Sequence, residues 1–101
     1  MDWRTKKIIG DQFVSSVDSS GANIAEGYWR YHYLDRVKFY YNARGSLLEA
    51  THWINLLIDR NLVSKEKSII FIRIIKELEL TLNGIIRATM KTKSDIITKR
   101  R

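Results

Sequence analysis

Cysteine and proline are both absent from this sequence, and glycine occurs only five times in 101 residues. Without cysteine the chain has no disulfide, no thiolate metal ligand and no cysteine nucleophile. Without proline, only isolated glycines interrupt a long helix. Long apolar runs are missing too: the N-terminal stretch MDWRTKKIIGDQF resembles neither a signal peptide nor a membrane span. We therefore expect a cytoplasmic protein.

Positive charge is concentrated near the C-terminus of a chain whose formal net charge is +7. The first 86 residues carry 12 basic and 10 acidic side chains, whereas six basic residues follow them against Asp95 alone. Such a cluster attracts RNA, DNA or an acidic partner surface. The same charges would also suit a solvated helix end, where they offset the macrodipole. The six residues are Arg87, Lys91, Lys93, Lys99, Arg100 and Arg101.

Apolar residues recur every three or four positions in three long segments, which is the period of a helix. The patterns predict helices over about 3–28, 33–60 and 65–93, followed by a basic tail over 94–101. Rods of matched length with short connections pack antiparallel, so we predict a single domain that is an all-α, up-and-down bundle. The apolar stripe of the second segment consists of Val37, Tyr40, Arg44, Leu47, Thr51, Ile54 and Ile58.

The third segment is apolar around most of its circumference. A helix of this kind is buried on more than one side. In so short a chain the obvious second neighbour is another copy of the protein, so we predict a homo-oligomer. The residues that lie off the main stripe are Ile69, Ile70, Ile72, Ile74, Leu80 and Ile86.

Small and polar residues interrupt the first two stripes. Ser16, Ser20, Gly21 and Ala25 predict a seam at which the first helix closely approaches a neighbour. Asn23 and Glu26 share one helix face, and Arg44 lies inside the apolar stripe of the second helix. Since a buried unpaired charge is costly, we predict a Glu26–Arg44 ion pair, with Arg30 or Arg36 as alternative partners for Glu26. Between the second and third helices, Asn61 is suited to a left-handed helix end and Ser64 to an N-cap.

Two motifs, SSGANIAEGYWR and FYYNARGSLLEATHW, resemble the paired signature of a bacterial four-helix-bundle family. The family includes proteins encoded in intervening sequences of large-subunit ribosomal RNA, and the resemblance covers about Gln12 to Met90. Trp29 stands where the family often has glycine. Because few residues precede Trp3, we expect the family's first helix to be short or missing. The matching residues are Ser20, Gly21, Ala22, Asn23, Ile24, Ala25, Glu26, Gly27, Tyr28 and Arg30, then Ala43, Gly45, Ser46, Leu47 and Glu49.

This resemblance implies a helical bundle that associates into a ring, with a pentamer favoured. It also implies kinship with the accessory proteins of diversity-generating retroelements, whose basic barrels bind nucleic acid and a reverse transcriptase. No activity is firmly assigned to the members encoded in ribosomal RNA. We expect structural rather than chemical roles for Gly21, Asn23, Glu26, Arg44, Gly45 and Glu49.

Candidate catalytic and metal-binding groups are few. Glu49 and His52 have the i, i+3 spacing of di-metal sites in helix bundles, but such a site needs two of these motifs and the sequence has one. No nucleophile elbow and no phosphate-binding glycine loop is present. We therefore predict a non-enzyme without cofactor or metal, and a metal-binding bundle built on Glu49 and His52 is the weakest alternative.

Aromatic and basic residues alternate from residue 28 to residue 36. These rings would either stack on exposed bases or pack into the turn between two helices, and we favour packing. The function we expect is binding of RNA or DNA by the C-terminal basic cluster, with Arg30 and Arg36 as a second patch and a protein partner alongside. The alternative is a structural or protein-interaction module whose charge only keeps it soluble.

Overall fold

The computed structural model of the protein describes the backbone of residues 3–100 and the side chains of residues 3–91. Over this range the chain forms three α-helices, α1 (Trp3–Trp29), α2 (Tyr33–Asp59) and α3 (Lys65–Arg100). The predicted all-α helical bundle is confirmed. The predicted end of the third helix at residue 93 is wrong, because α3 continues to Arg100. No glycine or proline occurs in the segment SDIITKR, so nothing in it stops the helix.

Both connections between helices are held by backbone hydrogen bonds. At the α1–α2 corner, the Arg30 N–H donates to the Gly27 carbonyl at 3.2 Å. After α2, Asn61 adopts a left-handed φ of 56°, and its N–H donates to the Ile58 carbonyl at 3.0 Å. The Leu62 N–H donates to the Leu57 carbonyl at 2.8 Å, which completes a Schellman motif. The predicted left-handed helix end at Asn61 is therefore confirmed.

The start of α3 is capped as predicted. The Lys67 N–H donates to the Ser64 hydroxyl at 3.2 Å, which satisfies one of the helix's free N–H groups.

The core forms along α2, which packs against α1 on one side and α3 on the other. Each fully buried leucine or isoleucine side chain stabilises the fold by about 1.5–3 kcal/mol. One cluster of buried residues lies near the α1–α2 corner and a second near the other end of the bundle. The first consists of Tyr40, Ala43, Leu47, Leu82 and Ile86, and the second of Ile9, Ile54, Leu57 and Ile75.

The predicted seam is correct at its serines and wrong at its glycine. Ser16 and Ser20 are buried, and the Ser20 hydroxyl donates to the Ala43 carbonyl of α2 at 2.9 Å. Gly21 and Ala25 are exposed instead. The glycine that packs tightly against α2 is Gly27, where an added Cβ would lie 2.7 Å from the Tyr40 ring.

The bundle is open along the side where α1 and α3 face each other. These two helices meet through the Phe13 and Phe71 rings, whose centroids are 5.5 Å apart. Beside that contact runs a mostly apolar groove, lined by Phe13, Val14, Val17, Phe71, Ile74, Ile75 and Leu78 together with one charged residue, Asp18. Within the described part of the chain, no helix combines the length and apolar character that crossing a bilayer requires.

Candidate nucleic-acid interface

The two ends of the bundle carry different net charges. The contacts of Ser20 with Ala43 and of Tyr41 with Met90 bring residues 19–48 and 80–91 to one end, which we call the basic half. It carries six basic side chains and two carboxylates, Glu26 and Asp35, for a net charge of +4. The opposite half, residues 3–18 and 49–79, carries eight basic and seven acidic side chains, for a net charge of +1. The basic side chains of the basic half are Arg30, Arg36, Lys38, Arg44, Arg87 and Lys91.

Two of the predicted phosphate contacts lie one turn apart on α3. Arg87 and Lys91 are both exposed, and neither forms an ion pair with a described residue. Their i, i+4 spacing places them on one face of the helix. Lys93, Lys99 and Arg100 belong to α3, but their side chains, and Arg101 entirely, lie outside what the structure describes.

The helix that carries these charges reaches the level of the α1–α2 corner. The Tyr41 hydroxyl donates to the Met90 sulfur at 3.8 Å, so Met90 of α3 lies beside Tyr41 of α2. Tyr41 lies about 12 Å along α2 from its first residue, Tyr33, and α3 continues for about 15 Å beyond Met90. Arg87 and Lys91 of the predicted C-terminal cluster therefore belong to the same end of the bundle as Arg30 and Arg36 of the predicted second patch.

The two arginines of the second patch differ in their surroundings. Arg30 is exposed, with its guanidinium carbon 4.8 Å from the Phe39 ring centroid and its Nη2 3.9 Å from the Glu26 carboxylate. So loose and solvated an ion pair contributes little and leaves the guanidinium available. Arg36 is half-buried, and its Nε donates to the Arg30 carbonyl at 2.6 Å. Arg36 thus stabilises the α1–α2 corner, at which Arg30 is exposed.

The predicted Glu26–Arg44 ion pair is wrong. Glu26 is exposed and pairs with Arg30, which was one of the alternative partners. Arg44 turns toward α3, where its Nη1 donates to the Asn83 side-chain oxygen at 3.2 Å and its guanidinium carbon lies 4.7 Å from the Tyr41 ring centroid. Asn23 is half-buried and Glu26 is exposed, and neither forms the predicted pair with Arg44.

Asn23 bonds within its own helix, whereas the hydroxyls of Ser19 and Ser46, one from each motif, lie 3.0 Å apart between α1 and α2. The Asn23 amide donates to the Ser19 carbonyl at 2.9 Å, one turn earlier on α1. Gly21 and Gly45 are exposed, and a Cβ at either position would meet no described atom within 4 Å.

Glu49 and His52 lie apart from the basic half and contact the same tryptophan. The Trp53 indole N–H donates to the Glu49 carboxylate at 3.4 Å, and the His52 ring packs edge-on against Trp53 at 4.9 Å. Among the described residues, no three histidine or carboxylate side chains gather as metal ligands would. The contacts of Glu49 and His52 are those of a helix surface.

Three of the four aromatic rings at the corner are not packed into the turn, contrary to the interpretation we favoured, whereas the fourth, Tyr33, is half-buried. Tyr28, Trp29 and Tyr31 are 65%, 80% and 91% exposed. Tyr28 and Trp29 meet edge to face, as do Tyr31 and His32. The sequence placed these rings at the corner correctly. It did not identify Lys38 as part of the basic half, since a lone lysine in a helix carries no signal of its own.

This fold and charge distribution define an all-α helical-bundle protein with one strongly basic half. The sequence model of the 23S rRNA-intervening sequence proteins matches residues 3–84, and the chain belongs to that family. The resemblance read from the two motifs is thus confirmed. No match was found among curated proteins or among solved structures. The matched region ends before Arg87, so family membership alone does not account for the basic cluster.

Proposed function

We propose that this chain is a cytoplasmic, non-enzymatic and self-associating bundle protein whose basic half binds RNA or DNA, with a protein partner alongside as an accessory factor. The observation that carries the proposal is the concentration of positive charge: a net +4 in the basic half against +1 in the opposite half. A positive field of one sign over one end of an elongated molecule attracts polyanions and raises their association rate. Family membership in the 23S rRNA-intervening sequence proteins is compatible with such an association.

Binding of this kind would act on phosphates and not on sequence. Each phosphate neutralised by a lysine or arginine releases condensed counterions, so affinity falls with salt by a slope of about 0.9 per contact on duplex DNA. The contacts we assign are Arg87, Lys91, Lys93, Lys99, Arg100 and Arg101 along α3, with Arg30 and Arg36 at the corner.

Self-association would repeat this surface. The apolar groove between α1 and α3 supports it, since a monomer would leave Val14, Ile74 and Leu78 in water. The family resemblance favours a pentameric ring. In a ring, several weak basic sites become one avid surface, because each further contact is intramolecular.

The test is a fluorescence-anisotropy titration of a structured RNA and a duplex DNA at 50 and 200 mM salt. We expect binding at 50 mM that weakens by an order of magnitude or more at 200 mM, depending on the number of contacts. The double variant Arg87→Gln/Lys91→Gln should reduce the salt slope by about two. Deletion of residues 99–101 should weaken binding further.

A matched control lies on the same helix in the opposite half. Arg73→Gln/Lys76→Gln removes the same charge from exposed positions of α3 and should leave binding within about twofold, since salt screens charges a Debye length away. Absence of binding at 50 mM salt would refute the nucleic-acid role. Equal losses in both double variants would show that net charge alone, and not the basic half, drives the association.

The alternative function is a protein-interaction module, which the same apolar groove favours. If the chain binds neither the RNA nor the DNA at 50 mM salt, the groove lined by Phe13, Phe71 and Leu78 is the surface that would bind a protein partner.

A further inference from the structure

Three large aromatic rings at the α1–α2 corner are exposed to solvent and do not belong to the buried core. Trp29 is the last residue of α1, and its side chain is 80% exposed. Tyr31 lies in the connection between α1 and α2 and is 91% exposed. Tyr28, beside Trp29, is 65% exposed. We call these three residues together with Arg30 the aromatic corner. So much aromatic area on an exposed turn is characteristic of a contact surface and contributes little to the core.

Most faces of these rings are uncovered. Tyr28 and Trp29 meet at an interplanar angle of 86°, and Tyr31 and His32 meet at 85°. In an edge-to-face pair, the partner covers at most one face of one ring, so flat surfaces remain open to a third ring. The backbone beneath them is fixed, because the Arg36 Nε donates to the Arg30 carbonyl at 2.6 Å in the middle of the segment.

Positive charge accompanies these open faces. Arg30 lies between Trp29 and Tyr31 in the chain, and the exposed Arg87 and Lys91 of α3 belong to the same half. Open ring faces beside cations match the chemistry of an unpaired nucleotide, which offers a flat base and a phosphate together. A duplex offers phosphates but keeps its base faces stacked inside, so it would satisfy the cations and leave the rings unused.

From this arrangement we propose that the aromatic corner stacks on unpaired bases, so that the protein prefers single-stranded or looped nucleic acid to duplex. This inference rests on the proposed function and specifies its ligand. Trp29 and Tyr31 supply the stacking faces, Arg30 contacts the adjacent phosphate, and the cations of α3 follow the backbone of the strand away from the corner.

The experiment uses the full chain at 50 mM salt and a labelled RNA of 16 nucleotides without self-complementarity. The same strand annealed to its complement is the duplex probe. We expect the wild-type protein to bind the single strand more tightly. The variant Trp29→Ala/Tyr31→Ala should weaken single-strand binding by about tenfold or more and leave duplex binding unchanged, because base–aromatic stacking is lost but the charges stay. Trp29→Phe/Tyr31→Phe should restore most of the affinity, since the stacking faces return.

The chain supplies a matched control at its other end. Trp3 is also exposed, at 68%, and lies at the start of α1 in the opposite half. Trp3→Ala should change neither affinity. A second measurement follows indole fluorescence: a base stacked on Trp29 should quench it on single-strand binding. The quench should survive Trp3→Ala and be lost in Trp29→Phe, although the phenylalanine variant still binds.

The outcomes separate this inference from the proposed function. If Trp29→Ala/Tyr31→Ala keeps full single-strand affinity while Arg87→Gln/Lys91→Gln loses it, the basic half binds and the aromatic corner does not, which overturns the inference alone. If neither probe binds, the proposed function and the inference fall together. If the alanine variant loses binding and also changes the solution mass, the corner is a contact between copies of the chain, and the inference is again overturned.

Discussion

At the scale of single residues, two glycines of one motif have opposite roles. Gly27 lies where α1 touches α2: an added Cβ would be 2.7 Å from the Tyr40 Cε1 and 3.2 Å from the Phe39 Cβ. Tyr40 is buried, so its ring has little room to move. We predict that Gly27→Ala lowers the free energy of unfolding by about 1–3 kcal/mol, as overpacking of a core does. Urea denaturation followed by circular dichroism measures it.

Gly21 is the matched control, six residues earlier on the same helix. A Cβ there meets no described atom within 4 Å, so Gly21→Ala should gain the helix propensity of alanine, about 1 kcal/mol, and raise the denaturation midpoint. Stabilisation by both alanine variants would show that α1 and α2 can separate at Gly27 at little cost. The motif alone could not distinguish the two glycines, because the difference depends on which face α2 covers.

At the scale of the helices, sequence periodicity predicted their number, their order and their caps, but it predicted their buried faces only in part. On α2 the stripe we predicted includes Arg44, Thr51 and Ile58, whereas the buried residues at those turns are Ala43, Ala50 and Leu57. Tyr40, Leu47 and Ile54 of the predicted stripe are buried, so the buried face shares these residues with the stripe and adds small alanines to it. A pattern read from large apolar residues undervalues them. The same limit explains Glu26, whose partner depended on the rotation of α1.

The end of α2 offers a prediction at this scale. Asn61 holds a φ of 56°, a conformation that costs an ordinary residue about 1–2 kcal/mol. Asn61→Ala should therefore lower the melting temperature, and Asn61→Gly should leave it unchanged or raise it, because glycine adopts positive φ freely. Thermal denaturation of the two variants measures the difference. Equal melting temperatures would mean that the α2–α3 connection relaxes to another conformation.

At the scale of the whole molecule, the single chain exposes more surface than a compact monomer of the same mass would. Its accessible surface is 7483 Å², whereas a compact monomer of this mass exposes about 6,000 Å². Its radius of gyration is 16.8 Å, against about 13 Å for a compact chain of this length. An elongated bundle exposes this surplus surface, and the self-association proposed above would cover part of it.

This surplus area leads to a prediction about assembly. Ile74 is half-exposed on α3 and lines the apolar groove, so a carboxylate there would be desolvated if another copy covered it. We expect the wild-type solution mass at micromolar concentration to be a multiple of 11.9 kDa, and Ile74→Glu to shift it to the monomer. Leu48→Glu, on an exposed face of α2 outside the groove, is the control and should keep the assembly. Sedimentation equilibrium gives both masses.

A monomeric wild-type chain would refute self-association and remove the avidity argument. An assembly broken by Leu48→Glu but not by Ile74→Glu would place the contact on the opposite side of the bundle and leave the groove free for a different protein.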